Sequence, residues 1–503
     1  MKFNFKVMKL EQLLKLRKIP FTTEQKERIS KAYNFAHEAH QGQKRASGED
    51  YFVHCSETAG ILVKMGLGSI TVSAALLHDT YEDTDVSLEE IEKEFGKDIA
   101  FIVKGVSKLS KVQLKGSEET YYLNNLQKMF LAMAADIRVV LIKLADRLHN
   151  MKTLSSLPRE KQQRIARETM EVFVPIANRL GIGELKGQLE DLCFKYLDPR
   201  NYKYVLDIER EVYPIRKKYV NEVIKKLKKK LKEEGIDFID VHGRAKHYFS
   251  LYQKLQKYDN DIDRVYDLVG IRIIVPKVAD CYEALGVVHK NYKPLIGRIK
   301  DYISLPKPNG YKSIHTTIFG PKSKIMEIQI RTEKMHDEAE YGIAAHWIYD
   351  QTKGGDWKRY IFGNRHKPKV PNEEIEWVKQ LKEWHSKTGG GSDEFWSSLK
   401  IDFFKDYIFV FTPAGDVIEL PEGATPIDFA YKVHSEIGNR TSGVKINGKM
   451  SALDTTLANG DLVEVITTKN SKLPNRDWLN FVQTAGAREK IKNVLRKGGV
   501  KLV

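Results

Sequence analysis

The 503-residue chain has only three cysteines, Cys55, Cys193 and Cys281. They are too few and too scattered for a disulfide framework or a cysteine-based zinc site, so a reducing cytoplasm is the expected location. No run of about 18 apolar residues occurs, which argues against a helix that spans a membrane. The first residues, MKFNFKVMKLEQLLKLRK, hold no long apolar stretch and no small-residue cleavage site, so no secretory leader is expected. An internal repeat is also lacking. What is there is ordinary for a globular protein, with 42% hydrophobic and 30% charged residues. At roughly 150 residues per domain, the length points to about three domains.

Net charge is +16, which raises the question of a polyanionic partner. The excess is uneven. Residues 201–350 and 469–503 each carry +7, whereas 401–468 carry −5. Residues 1–200 read as helical, with apolar residues at helical spacing over 24–41, 88–104 and 157–178. A basic helix is expected over 203–234, where the lysine run is equally well read as a solvated face. After Gly235 the texture changes to short strands with helices between them, an α+β unit with a mixed or antiparallel sheet. Residues 352–395 punctuate like a linker around one short helix. Residues 403–468 form a second, smaller α+β pattern with a helix at 426–437, and the tail begins a basic helix. The resulting division is 1–200, a connector at 201–239, 240–350, a linker at 351–402, 403–468 and 469–503.

The first chemical constellation lies in the helical part. His54, His78, Asp79 and Asp146 supply two imidazoles and two carboxylates. Such a set holds a divalent ion and leaves positions for water and a phosphate oxygen. Glu82 and Asp83, one turn beyond, are placed to act on a water or a leaving group. An HD dipeptide alone is readily a chance pair; the ordered set is much less so. The set resembles the HD phosphohydrolase superfamily. The words KRASGEDYFVH, AALLHDTYEDT and LIKLADRLHNM are more specific and resemble the (p)ppGpp hydrolase domain of the RelA/SpoT homologs, the long Rel proteins of the bacterial stringent response. That resemblance implies an all-α HD-type domain in which His54, His78, Asp79 and Asp146 ligate Mn²⁺. It implies that Glu82 and Asp83 handle the nucleophilic water and proton transfer, that Arg45 lies against guanine, and that Asn150 contacts the sugar. Lys44 and Arg147 would neutralise phosphates, although Arg147 reads equally as a structural ion pair. Cys55 stands where the family commonly has proline.

The second constellation lies in the α+β part. HGRAKHYFSLYQK brings Arg244, Lys246, Ser250 and Lys254 together, and a helix would put the last three on one face, suited to a polyphosphate. YDLVGIRIIV offers Asp267 and Arg272, and KIMEIQIRT places Glu327, Gln329 and Arg331 on one face of a strand. Carboxylates on neighbouring strands are a usual way to hold Mg²⁺ against transferring phosphates. Between them, Asn309-Gly310 forms a turn that presents Tyr311.

Residues 240–350 resemble the (p)ppGpp synthetase domain of the same family, with a nucleotidyltransferase-like fold. The resemblance implies that Arg244 and Arg272 sandwich adenine and that Lys246, Ser250 and Lys254 hold the ATP phosphates. Asp267 and Glu327 would bind Mg²⁺, with Glu327 also a base for the acceptor hydroxyl. Tyr311 would stack on guanine, and Lys307, Asn309, His315, Gln329, His336 and Ala339 would line the GDP/GTP pocket. Ala245 replaces the proline of the family's GRPKH word. Arg298, Lys300 and Asp301 form the basic RxKD word that accompanies an intact hydrolase site in bifunctional members.

Residues 403–468 resemble a TGS domain with a β-grasp fold, in which His434 would contact the 3′ end of uncharged tRNA on the ribosome. The resemblance implies further regulatory domains after the helical segment, so a shortened form of the family's chain is expected. The activity implied is bifunctional, the making of (p)ppGpp from ATP and GDP or GTP, and its hydrolysis. One dominant activity, or a ribosome- or tRNA-binding sensor with merely regulatory nucleotide sites, stands as the alternative. No membrane partner is expected.

Overall fold

The computed structural model describes residues 7–110, 132, 136–307, 309–321, 324–345, 407–458, 460–468 and 473–498. The expected linker at 351–402 lies outside the described residues. The chain divides into two compact units, residues 1–387 and 388–503.

The first unit begins with helices, as the apolar spacing predicts. Four of them carry the functional residues or their supports: α1 (Thr23–Ala39), α2 (Tyr51–Lys64), α3 (Ser69–Leu76) and α4 (Ile137–Thr153). In α3, seven of the eight residues are buried, so this short helix is a fixed post inside the module. The single helix expected over 88–104 is two, Leu88–Phe95 and Lys97–Ser110. Gly96 separates them at φ 86°, a left-handed backbone that glycine adopts without the Cβ clash. The stretch at 157–178 is likewise divided, by a π turn at Thr169–Phe173. Helix α5 (Gly183–Leu197) then leads into α6 (Pro199–Glu233), a 35-residue helix that matches the expected basic one. Five of its six buried residues, Val220, Val223, Ile224, Leu227 and Leu231, form one stripe in the core of the following sheet, leaving the lysines outward.

That sheet has five strands, β1 (Asp240–Ala245), β2 (Val269–Val275), β3 (Lys300–Asp301), β4 (Ile314–Phe319) and β5 (Ile325–Thr332). Their order is β1-β2-β5-β4-β3. Only the β2–β5 pair is parallel, so the sheet is mixed. Helices α7 (Tyr248–Lys257), α8 (Val278–Asn291) and α9 (Glu333–Tyr341) complete this part. Ile271, Ile273, Ile328 and Ile330 are buried among α6 and α8. The intervening residues point the other way because a strand alternates its faces. His242, Arg272, Gln329, His315 and Lys300 are successive cross-strand partners, so a polar row crosses the sheet.

The second unit holds a hairpin, β6 (Tyr407–Phe411) and β7 (Val417–Pro421), and a three-stranded sheet of β8 (Thr441–Ile446), β9 (Lys449–Ser451) and β10 (Val463–Thr467). A parallel bridge from Phe411 to Leu462 sets the first strand beside the last, as in a β-grasp. The helix expected over 426–437 is interrupted at His434, giving α10 (Pro426–Val433) and a short helix at Ser435–Arg440. The tail is not a bare helix start. Helix α11 (Ala485–Lys497) packs Ile491 and Leu495 with Ile427, Tyr431 and Trp478 in a core of their own.

Asp428 fastens that tail. Its fully buried carboxylate accepts from Thr425 N–H and Oγ1 and from Gln483 and Thr484 N–H, with the Thr484 hydroxyl as a further donor. Asp428→Ala strands those donors at about 1–3 kcal/mol for each one left unpaired. Hydrogen exchange should show the amides of 485–497 losing protection while unit one keeps its own. Unchanged protection there would remove Asp428 from this role.

Candidate active sites

The first site forms where three helices meet. His54 comes from α2, His78 and Asp79 from just past α3, and Asp146 from α4. His54 Nε2 lies 3.4 Å from Asp79 and 3.3 Å from Asp146, and His78 Nε2 lies 3.2 Å from Asp79. All four expected ligands are therefore brought together. Burial alone would disfavour every charge here, yet mutual attraction prevails. Burial lowers the His54 pKa, but Asp146 and Asp79 outweigh it and leave a net rise. Burial likewise raises Asp79, which His78 and His54 override to hold the carboxyl below its ordinary range.

The donor set fits a divalent ion. His78 Nδ1 bonds the Ala75 carbonyl at 2.7 Å, which requires the proton on that nitrogen. Nε2, which carries the lone pair in the neutral ring, is buried and has no hydrogen-bond partner. A buried acceptor with no donor is costly unless a cation meets it. His54, His78 and Asp146 offer ligand atoms within 4.8 Å of one another, as do Cys55, His78 and Asp79. Burial pushes the Cys55 thiol well up, so it stays protonated, and the imidazole–carboxylate set is the better cage for a hard cation.

Beside the cluster lies a cavity of about 530 Å³, within the range of small-molecule pockets. Lys44, Arg45, Arg147 and Asn150 all line it. Arg45 donates to Asn150 Oδ1 at 2.5 Å and Asn150 Nδ2 to Asp146 Oδ1 at 2.5 Å, a chain from the cavity to the ligand cluster. Arg147 pairs with Glu168 at 3.0 Å and lies over the Phe173 ring, so the ion-pair reading holds for it while it still faces the cavity. Glu82 and Asp83 sit on the short helix Thr80–Asp83, and burial raises the Glu82 pKa.

Sequence reasoning missed three groups here. Tyr51 OH donates to Asp83 at 2.5 Å and to Asp79 at 3.2 Å. Lys143 Nζ meets Asp146 at 2.6 Å, and His149 Nδ1 lies 2.8 Å from His54 Nδ1. Each is three residues from an expected ligand on the same helix, Tyr51 from His54 and the other two from Asp146. Helical spacing was the available signal.

The second site lies on and beside the polar row. Lys246 and Lys254 both donate to Asp267 Oδ2, at 2.8 and 2.5 Å. Lys246 precedes α7, so only Ser250 and Lys254 share a face of that helix. Asp267 Oδ1 is buried without a hydrogen-bond partner. Burial raises the Asp267 pKa, but Lys246 and Lys254 bring it below the ordinary value. On β5, burial acts against Glu327, yet His315 and Gln329 draw it down to about 2. His315 Nδ1 is 3.2 Å from Glu327, and Tyr311 OH is 2.8 Å from His315 Nε2. Lys307 Nζ stands over the rings of Tyr302 and Tyr311 at 5.1 and 5.5 Å. An unpartnered carboxylate oxygen beside a second ionised carboxylate fits a hard divalent ion.

A cavity of about 120 Å³ brings Arg244 and Arg272 together with Asn309, Tyr311 and Ala339. Glu340, unremarked in the sequence, bridges Arg272 at 3.0 Å and Arg331 at 2.8 Å. The structure does not bring the RxKD word into this cavity. Arg298 and Lys300 are exposed, and Asp301 accepts from the Ile303 and Ser304 amides and from Tyr282. In the second unit, His434 is exposed and its Nδ1 accepts from the Glu436 N–H, a helix cap.

His336 accepts from Arg331 at 2.7 Å, and burial with that guanidinium lowers its pKa to about 3. The sign follows. Below the ordinary value of 6.5 the unfolded chain takes up a proton that the folded chain refuses, so stability falls from there toward pH 3. A His336→Gln variant should lose less melting temperature than the wild type between pH 6.5 and 4. Parallel curves would contradict this.

Comparison with known proteins follows the same divisions. A family model described as an HD domain matches residues 32–183. A model described as a region found in RelA/SpoT proteins matches 243–354, and a TGS domain model matches 408–467. The chain is 46% identical over 469 residues to a probable guanosine-3′,5′-bis(diphosphate) 3′-pyrophosphohydrolase of Synechocystis sp., covering 93% of this chain and 60% of that one. Over nearly its whole length the chain is similar to RelA/SpoT-type proteins. It is 45% identical over 471 residues to a GTP pyrophosphokinase of Myxococcus xanthus, covering 93% and 60% of the two. To the bifunctional (p)ppGpp synthase/hydrolase SpoT of Escherichia coli K12 it is 42% identical over 473 residues, covering 94% and 65%. The chain thus spans about 60% of the length of the curated relatives it matches. Its HD domain goes with divalent-metal use, and the histidine–aspartate cluster lies inside the matched HD residues, apart from the second site. No described helix is long and apolar enough to cross a membrane.

Proposed function

We propose that the chain is a bifunctional alarmone enzyme. At one site it transfers the β,γ-pyrophosphate of ATP to the ribose 3′-oxygen of GDP or GTP, releasing AMP and making (p)ppGpp. At the other it hydrolyses (p)ppGpp to GDP or GTP and pyrophosphate. The observation that carries this is the pair of separate cation-ready clusters in one unit, each with a buried ligand atom that no hydrogen bond satisfies, His78 Nε2 and Asp267 Oδ1. Names among the relatives, both pyrophosphokinase and pyrophosphohydrolase, support the same reading.

For hydrolysis, His54, His78, Asp79 and Asp146 would hold Mn²⁺. A divalent ion held there would supply Lewis-acid polarisation of the scissile phosphate and a lowered proton affinity for the attacking water. Arg45 and Asn150 orient the nucleotide in the larger cavity. Glu82, with its raised pKa, exchanges the proton between water and leaving group, and Asp83 is held for the same purpose by Tyr51. Lys44 and Arg147, which line that cavity, would neutralise the phosphates.

For synthesis, Asp267 and Glu327 would hold Mg²⁺, with Lys246, Ser250 and Lys254 around the donor phosphates and Arg244 and Arg272 about adenine. Tyr311 would stack on guanine, with Lys307, Asn309, His315, Gln329, His336 and Ala339 as its surroundings. The work is positioning and charge neutralisation. A cavity of about 120 Å³ is smaller than a nucleotide pocket, so the site would widen for adenine to enter, and the Arg272–Glu340 pair lines the part that would open. Uncharged tRNA and the ribosome are the proposed partners of the second unit, through His434. That contact would be local, because residues 401–468 carry −5 and offer no bulk attraction to RNA.

Anion-exchange chromatography tests the reading. With ATP, GDP and Mg²⁺ the wild type should yield ppGpp and AMP; with ppGpp and Mn²⁺ it should yield GDP and pyrophosphate. Absence of both products would refute the enzyme assignment. One product alone would favour a chain with a single dominant activity.

A further inference from the structure

Helix α7 carries Ser250 and Lys254, yet the residue before it does not cap it. His247 occupies the cap position with an extended backbone and makes no cap bond through its own side chain. The cap comes from 58 residues earlier in the sequence. Asp191, on α5, accepts the Phe249 N–H on Oδ1 at 2.9 Å, which satisfies one of the orphan donors of the first turn. Its other oxygen, Oδ2, lies 2.9 Å from His247 Nδ1. One carboxylate, 18% exposed, therefore grips both the helix end and the imidazole that follows Lys246.

The close approach is built into α5. A Cβ on Gly187 would stand 2.3 Å from the His247 ring, so only glycine lets the ring lie there. Helix α5 packs against α4, which bears Asp146, and Phe194 at its far end is buried in the core behind the sheet. It is a fixed wall rather than a surface strand of chain. Lys246 and Lys254 converge on one oxygen of Asp267 from opposite ends of the segment that Asp191 holds. Their spacing depends on where the first turn of α7 sits.

We propose that Asp191 is a positioning residue for donor-phosphate binding. It sets the register of Lys246, Ser250 and Lys254 from the helix that follows the matched HD residues, without touching the nucleotide. The inference rests on the synthetase reading above. Loss of the carboxylate frees the first turn of α7 and the His247 ring, and the two lysines no longer meet at one point. A group that only supported the fold would affect both substrates and both activities alike.

The test measures ATP affinity by calorimetry, and KM for ATP and for GDP in synthesis, on the full chain. Asp191→Ala should raise Kd and KM for ATP about tenfold, the effect of losing one cap bond. KM for GDP and the rate of ppGpp hydrolysis should stay within about twofold. Asp191→Asn, which keeps an acceptor for the Phe249 N–H, should recover most of the loss. Gly187→Ala, which displaces the ring while sparing the carboxylate, should weaken ATP in the same direction and serves if Asp191→Ala fails to fold. Wild-type ATP affinity in the Asp191→Ala and Gly187→Ala variants, or equal loss for both substrates and for hydrolysis, would overturn the assignment alone. No ATP binding and no product from the wild type would overturn the synthetase reading and this assignment with it.

Discussion

Asp79→Asn should abolish ppGpp hydrolysis, by about 10³-fold or more, and leave synthesis within about threefold of the wild type. The argument is electrostatic. Among the described residues, Asp79 is the one carboxylate that touches both histidines, His54 at 3.4 Å and His78 at 3.2 Å. Asparagine keeps the shape but removes the charge that balances a divalent ion. Without it, two imidazoles and Asp146 remain, with the Lys143 ammonium 2.6 Å from Asp146 and unfavourable to any cation. Metal affinity should fall in step, read as lost thermal stabilisation by Mn²⁺. Retained hydrolysis would place the reaction elsewhere. Asp79 has no hydrogen bond to the sheet, so synthesis has no reason to follow.

Glu327→Gln should produce the mirror image, with synthesis lost by about 10²–10³-fold and hydrolysis kept. Glutamine still bonds His315 and Gln329 in outline, so the fold should hold. What disappears is the charge opposite Asp267, and with it the pair of carboxylates that faces Lys246 and Lys254. A variant that binds ATP and GDP yet transfers nothing would be the expected phenotype. Loss of hydrolysis as well would mean that the two sites are not separable by single charges.

Much of this was legible in the sequence where the signal is local. The ordered histidines and aspartates were readable because each sits at the end or inside of a buried apolar word, and those words fold as the helices that deliver them. Glu327, Gln329 and Arg331 were readable because a strand alternates, whereas the strand texture left a mixed or an antiparallel sheet open and the parallel β2–β5 pair decides for the mixed one. The break at Gly96 was available from the glycine alone, whereas the apolar spacing on either side suggested one helix. Burial decided the rest. Asp191 meets His247 across 56 residues, Glu340 meets two arginines from different strands, and Asp428 fastens a tail whose composition shows only a basic helix. No spacing rule links such residues, because the contact exists only once helices and sheet have packed. Net charge misled most in the second unit, where the −5 segment is the one proposed to meet RNA.

The central claim is that one chain holds two separate sites running opposite chemistry. The most direct measurement follows nucleotides by anion-exchange chromatography in a single reaction. The Asp79→Asn chain is given ATP, GDP and Mg²⁺, and the Glu327→Gln chain is then added with Mn²⁺. The account predicts that ppGpp and AMP accumulate in the first phase, and that ppGpp returns to GDP and pyrophosphate in the second. No ppGpp in the first phase, or ppGpp that persists through the second, would contradict it.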